Sequence, residues 1–249
     1  MKSLRLLAPV AALLLSLPLH AQEIVVSAAA SLTQAFQAVG QAYEQANAGQ
    51  KVTFNFAASG ALLSQIQQGA PVDVFASADQ ATMDRAATAR LLTEGSRADF
   101  ARNTLVLVVP AASAHKPQAL KDLAEPAYAR IASGTPASVP AGKYTADAVA
   151  AAGLTDALQS RWVFGESVRQ VLNYVARAEV DAGFVYRTDA LIEADKTRIA
   201  FTVPTSTAVT YPIAQVAASR QAGAAAGFIA FVRGAQGQAI LQKFGFSSP

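Results

Sequence analysis

The sequence predicts an α/β protein whose sheets are mostly parallel and covered by helices. Two observations carry this. Short β-type runs such as Ile24-Val25-Val26 and Leu105-Val106-Leu107-Val108-Val109 alternate with alanine-rich stretches. Within those stretches the apolar residues keep helical spacing, as in Leu32, Phe36, Val39 and Tyr43, and again in Val168, Val171, Leu172 and Val175.

Taken in order, strands are expected at residues 24–26, 52–56, 72–76, 105–109, 130–132, 182–186 and 213–217. Helices are expected at 32–46, 61–68, 81–87, 144–151, 168–178, 224–231 and 237–243. The strand at 105–109 runs into Pro110 and a small polar loop, which sets a lobe boundary near residue 104. A second crossing is expected at Tyr211-Pro212, after which the C-terminal helices return to the first lobe. The expected organisation is therefore a first lobe of residues 22–104 and 213–249 and a second lobe of residues 105–212.

Residues 1–21 read as a secretory signal peptide. Lys2 and Arg5 form its positive end, and residues 6–19 form an apolar stretch broken by Pro9, Ser16 and Pro18. That stretch is short for a membrane span, which disfavours an uncleaved anchor. Cleavage after Ala21 fits, although Leu19 is larger than the residue usual at that distance from the cut. Cleavage removes two of the 20 basic residues against 17 acidic ones, so the formal charge falls from +3 to +1. No dense Lys/Arg cluster points to a nucleic-acid or membrane-surface partner. The chain has no cysteine, and His115 is the only histidine beyond the signal, so a disulfide framework is excluded and a zinc site or histidine triad is disfavoured.

Five small or neutral corners remain as candidate chemistry. Ser31 follows a strand, opens a helix and forms an S-x-x-Q capping box with Gln34. Ser59 lies in Ala57-Ala58-Ser59-Gly60, Ala141 in Val139-Pro140-Ala141-Gly142, and Val168 in Glu166-Ser167-Val168-Arg169. Tyr186 ends the run Gly183-Phe184-Val185. Alone, each has an ordinary explanation as a helix cap, a turn or a core-edge aromatic. The first turn of a helix, however, carries unpaired N–H groups and the positive end of the helix dipole, and such turns hold anions without Lys or Arg.

These corners, with Val72-Asp73-Val74-Phe75-Ala76-Ser77-Ala78-Asp79 between the second and third, occur in one order from Glu23 to Phe244-Gly245-Phe246. In that order the chain resembles the periplasmic molybdate-binding proteins of ABC transporters. The resemblance implies a two-lobed periplasmic solute-binding fold of type II that closes by a hinge on one tetrahedral oxyanion. It further implies that the hydroxyls of Ser31 and Ser59 donate from the first lobe. The N–H groups of Ala141 and Val168 and the hydroxyl of Tyr186 then donate from the second. Molybdate or tungstate is the implied ligand and a membrane permease of an ABC transporter the implied partner. The protein would be a periplasmic monomer, not an enzyme, with no cofactor and no free metal cation.

A fully deprotonated dianion needs only donors, which suits such a site, whereas a monoprotonated phosphate brings a proton with no acceptor. Sulfate passes that test, so a receptor for sulfate or another small oxyanion stays open. A hydrolase using Ser31 or Ser59 as nucleophile would need a base, and the sole candidate, His115, lies in a polar loop. Among the charged neighbours, Glu166 is expected to hold Arg169, Lys143 to sit in solvent or in an ion pair, and Asp73 and Asp79 to serve caps and turns, while Trp162 and His115 are expected to pack or lie at the surface.

Overall fold

The computed structural model describes residues 22–249. The expected signal peptide lies outside the described residues. The chain runs β1 (Gln22–Ala29), a 3-10 turn (Ala30–Leu32), α1 (Thr33–Ala46), β2 (Gln50–Ala57), α2 (Ser59–Gln67), β3 (Val74–Ala76), α3 (Gln80–Thr88) and β4 (Ala98–Asn103). It continues with β5 (Leu105–Pro110), β6 (Ile131–Gly134), α4 (Pro140–Ala151), α5 (Thr155–Leu158), β7 (Trp162–Gly165), α6 (Val168–Ala176), β8 (Ala182–Tyr186), α7 (Arg187–Ala190) and β9 (Thr197–Thr202). It ends with β10 (Val209–Gln215), α8 (Ala222–Arg233) and α9 (Ala235–Lys243).

The strands form two five-stranded sheets, β2-β1-β3-β10-β4 and β7-β6-β8-β5-β9. In the first, β1 pairs in parallel with β2 and β3, while β10 runs antiparallel to β3 and β4. In the second, β6 pairs in parallel with β7 and β8, while β5 runs antiparallel to β8 and β9. Each sheet thus reverses one strand, and the expected α/β architecture with mostly parallel strands is borne out. In each, the chain leaves a central strand first to one side and then to the other. Such a switch point opens a crevice beyond the carboxyl ends of the strands.

Strands β4, β7 and β9 were not foreseeable from apolar runs. All three lie at sheet edges, where one flank faces solvent and strict apolar patterning is not required. Helix α4 starts at Pro140, four residues before the expected Tyr144, because proline is well placed in a first turn whose N–H has no partner. The expected crossing at Tyr211-Pro212 falls inside β10, which lies wholly in the first sheet and shifts register at that dipeptide.

Helix α1 buries Phe36, Val39 and Tyr43, as its spacing predicts. Phe36 meets Phe100 at 5.5 Å and Phe228 at 6.1 Å, so α8 closes the same core from the C-terminal end of the chain. In the other lobe α6 buries Val168, Val171, Leu172 and Val175. The passage from β4 to β5 is the single residue Thr104. Its N–H donates to Asn103 Oδ1 at 2.9 Å and its carbonyl accepts from Arg187 N–H at 2.8 Å.

Candidate functional site

The five candidate corners all come from the carboxyl ends of parallel strands. Ser31 and Ser59 follow β1 and β2, Ala141 follows β6, Val168 follows β7, and Tyr186 ends β8. Together with Ala30, Ala58, Ala78 and Val139, these five residues line one small cavity between the lobes, about 10 Å³ in volume. That is room for about one water-sized sphere, so the walls stand close across the cleft. No Lys, Arg, Asp, Glu or His lines it.

Ser31 and Ser59 are buried, and neither caps its helix. The S-x-x-Q box expected at Ser31 is not made: Leu32 occupies the N-cap of α1, and no side chain caps that helix. Ser31 lies instead inside the 3-10 turn, and its Oγ stands 3.0 Å from the hydroxyl of Tyr211. That phenol oxygen accepts from Asn103 Nδ2 at 3.2 Å. Either hydroxyl can donate in the Ser31–Tyr211 contact; when Tyr211 donates, the Ser31 proton is free for a further acceptor. Ser59 Oγ accepts from Ala78 N–H at 3.0 Å, which likewise leaves its proton to donate elsewhere.

The second lobe offers backbone. Ala141 is the second residue of α4 and Val168 the first of α6, so their N–H groups have no carbonyl acceptor within their own helices. The side chain of Ser167 is the N-cap of α6, accepting from Gln170 N–H at 3.2 Å, and so acts on its own helix. Tyr186 is fully buried and its hydroxyl reaches the carbonyl of Ala78 across the cleft at 3.4 Å. Burial pushes the phenols of Tyr186 and Tyr211 well above their ordinary value, so both remain protonated donors.

Arg169 does not pair with Glu166, which is exposed. Its Nε lies 2.5 Å from Oδ1 of the buried Asp189, and its Nη2 donates to the Ser31 carbonyl at 3.3 Å. The two form a close ion pair between a fully buried carboxylate and a mostly buried guanidinium. Burial raises the Asp189 carboxyl above its usual range, and Arg169 offsets part of that rise. Asp189 Oδ2 also accepts from Tyr186 N–H at 3.3 Å, which fixes the end of β8.

The expectations for Asp79, Lys143, Trp162 and His115 hold, whereas Asp73 serves neither cap nor turn and ties distant segments together. Asp79 caps α3 by accepting from Thr82 N–H at 3.2 Å. Asp73 accepts from Val25 N–H at 2.8 Å and from Ser219 Oγ at 2.6 Å. Lys143 reaches only the exposed Asp147, at 3.3 Å. Trp162 stacks on Phe164 with centroids 6.1 Å apart, and His115 packs edge-on to Tyr128 at 5.8 Å. A much larger cavity of about 610 Å³ lies at the amino end of β3, beside Asp73. Asp73 shares its lining with Arg90 and Arg220, a mixed charge set unlike the uncharged lining between the lobes.

The sequence does not single out Tyr211, Asn103 or Asp189. Tyr211 and Asp189 carried only weak signals: a Tyr-Pro pair at an expected crossing, and an acid three residues beyond Tyr186 in the first turn of α7.

Residues 24–247 match the family of bacterial extracellular solute-binding proteins. The molybdate-binding protein ModA of Mycobacterium bovis is 40% identical over 230 residues, covering 92% of this chain and 86% of that protein. The periplasmic molybdate-binding protein of Azotobacter vinelandii superposes with a TM-score of 0.79 at 24% identity, over 91% of this chain and 99% of that one. The sulfate-binding protein SubI of Mycobacterium tuberculosis superposes at 0.82 with 19% identity, over 91% and 87% of the two chains. These last two likenesses speak for the fold alone, a two-lobed binding fold shared by receptors of different anions. The sequence match across nearly all described residues is the narrower finding, and by it the chain belongs to the ModA family of bacterial extracellular solute-binding proteins.

Proposed function

We propose that this protein is the extracytoplasmic receptor that captures molybdate, and tungstate with it, in the cleft between its lobes and delivers it to the permease of an ABC transporter. Residues 1–21 direct export to the periplasm, the receptor is a monomer, and it performs no chemistry on its cargo. The ligand accepts from the hydroxyls of Ser31, Ser59 and Tyr186 and from the N–H groups of Ala141 and Val168. The first lobe is residues 22–104 with the C-terminal part of the chain from β10 onward, and the crossings at Thr104 and between β9 and β10 form the hinge.

The observation that carries this reading is a cavity lining without a charged side chain. Three hydroxyls and two helix-start N–H groups belong to its residues, and the Tyr186 proton leaves its 3.4 Å contact with the Ala78 carbonyl for the ligand. Hydrogen bonds to a charged group are worth about 1.5–3 kcal/mol each, and helix starts add up to about 2 kcal/mol in favourable sites. Several such bonds offset the desolvation of a dianion and the cost of closing the lobes. Because the donors come from both lobes, the ligand favours the closed state. A hydrolytic reading has no general base, since His115 packs on Tyr128 away from the cavity.

Thermal unfolding of the anion-stripped protein with molybdate, tungstate, sulfate or phosphate tests the reading. At one hundred times its dissociation constant a ligand stabilises by about 2.7 kcal/mol, which for a chain of this size raises Tm by about 5–10 °C. A rise with molybdate and tungstate alone is expected. A rise with sulfate alone would keep the site and change the cargo, and no rise with any of the four would overturn the ligand assignment.

A further inference from the structure

The lobes touch at one point through bare backbone. Gly60, the second residue of α2, donates its N–H across the cleft to the carbonyl of Ser138 at 3.0 Å. A Cβ at Gly60 would stand 2.7 Å from that carbonyl oxygen, 2.8 Å from Ser138 Cα and 3.1 Å from its carbonyl carbon. The first two distances are shorter than side chains tolerate, and every atom met belongs to backbone, so no rotamer change relieves the contact.

Neither side can yield locally. Ser138 N–H and Val139 N–H both donate to Thr135 O, at 3.1 and 2.9 Å, and Thr135 N–H donates to Gly165 O at 2.9 Å. Behind that turn α4 packs backbone to backbone on β6, since a Cβ at Gly142 would lie 2.0 Å from Gly134 O. On the other side α2 is pinned by Leu62 and Leu63, which are wholly buried. The remaining way to accommodate a side chain at position 60 is to move the lobes apart.

We infer that Gly60 is a positioning residue for ligand capture: its missing side chain lets the two lobes approach far enough for both donor sets to reach one anion. Gly60 does not line the cavity, and its N–H is already engaged with Ser138, so it acts through closure and not through ligand contact. The inference rests on the proposed two-lobe capture of an oxyanion. It has a diagnostic sign. Alanine favours helix over glycine, so Gly60→Ala leaves the anion-free protein at least as stable as before, while the closed state alone suffers the clash.

The experiment compares the wild-type protein with Gly60→Ala. Dissociation constants for molybdate, tungstate and sulfate are measured by calorimetry, together with the Tm of each anion-free protein. Interlobe distances are measured between spin labels on Gln67→Cys and Ala151→Cys, at the far ends of α2 and α4; the chain has no native cysteine to interfere. Expected are a dissociation constant raised about tenfold or more for whichever anion the wild type holds, an unlowered Tm, and loss of the shortest label distances. Unchanged affinity, a fall in affinity matched by a fall in the anion-free Tm, or identical distance distributions in the two proteins would overturn the inference. Failure of the molybdate reading shows separately, as a wild-type protein that does not bind molybdate. In that case the distance distributions with and without the other anions still decide the role of Gly60.

Discussion

The two lobes repeat one strand order but present their donors by different means. In the first, side-chain hydroxyls face the cleft beside neutral partners: Ser59 accepts from Ala78 N–H, and Ser31 is hydrogen-bonded to the Tyr211 hydroxyl. In the second, helix-start N–H groups carry most of the donation beside the single hydroxyl of Tyr186, and the serine next to them turns back to cap its own helix. Nearby, the second lobe also carries a buried ion pair, Arg169–Asp189, which anchors the end of β8 and reaches the Ser31 carbonyl. A serine at a strand-to-helix corner thus has two uses. Which one it takes depends on whether its oxygen is claimed by its own helix or by a neighbouring donor.

The largest expected effect lies on the charged side of that comparison. Asp189→Ala leaves Arg169, whose side chain is 18% exposed, without its counter-ion and strips Tyr186 N–H of its acceptor. Breaking a buried pair costs about 3–5 kcal/mol, and the partial exposure of Arg169 sets the expectation near the low end, about 3 kcal/mol in urea unfolding. A loss below about 1 kcal/mol would mean that the pair anchors nothing.

Next comes the contrast between the two serines. Ser59→Ala removes a donor and weakens molybdate binding by about 1.5–3 kcal/mol, whereas Ser167→Ala costs about 1 kcal/mol of folding stability as a lost cap and leaves the dissociation constant in place. Calorimetry and denaturation on the same two variants check this. Reversed effects would break the comparison. A smaller change is expected from Tyr211→Phe, which interrupts the chain from Asn103 and lets the Ser31 hydroxyl turn away. Affinity then falls by about 1 kcal/mol, and a dissociation constant equal to that of the wild type would remove Tyr211 from the account.

Much of this was readable in the sequence. Amphipathic spacing in α1 and α6 placed their buried faces, and central strands such as β1, β5 and β8 announced themselves as apolar runs. Edge strands did not, because solvent on one flank relaxes the pattern in β4, β7 and β9. The five corners could be picked out as candidates because each stands at or just after the carboxyl end of a parallel strand, four of them at or near an expected helix start. What stayed hidden depends on contacts between distant segments. Tyr211 meets Ser31 across 180 residues, and the choice of Asp189 over Glu166 as partner of Arg169 is settled by burial that no local pattern encodes. The capping box at Ser31 illustrates the converse: a good local motif was overridden by a 3-10 turn and a tertiary hydrogen bond.

Anomalous X-ray scattering at the molybdenum edge, from crystals of the protein grown with molybdate, locates the anion outright. One molybdenum peak is expected between the lobes, with oxygens within hydrogen-bonding distance of the Ser31, Ser59 and Tyr186 hydroxyls and of the Ala141 and Val168 N–H groups. A peak elsewhere, such as in the larger cavity beside Asp73, or a peak held by donors of one lobe only, would contradict capture between the two lobes.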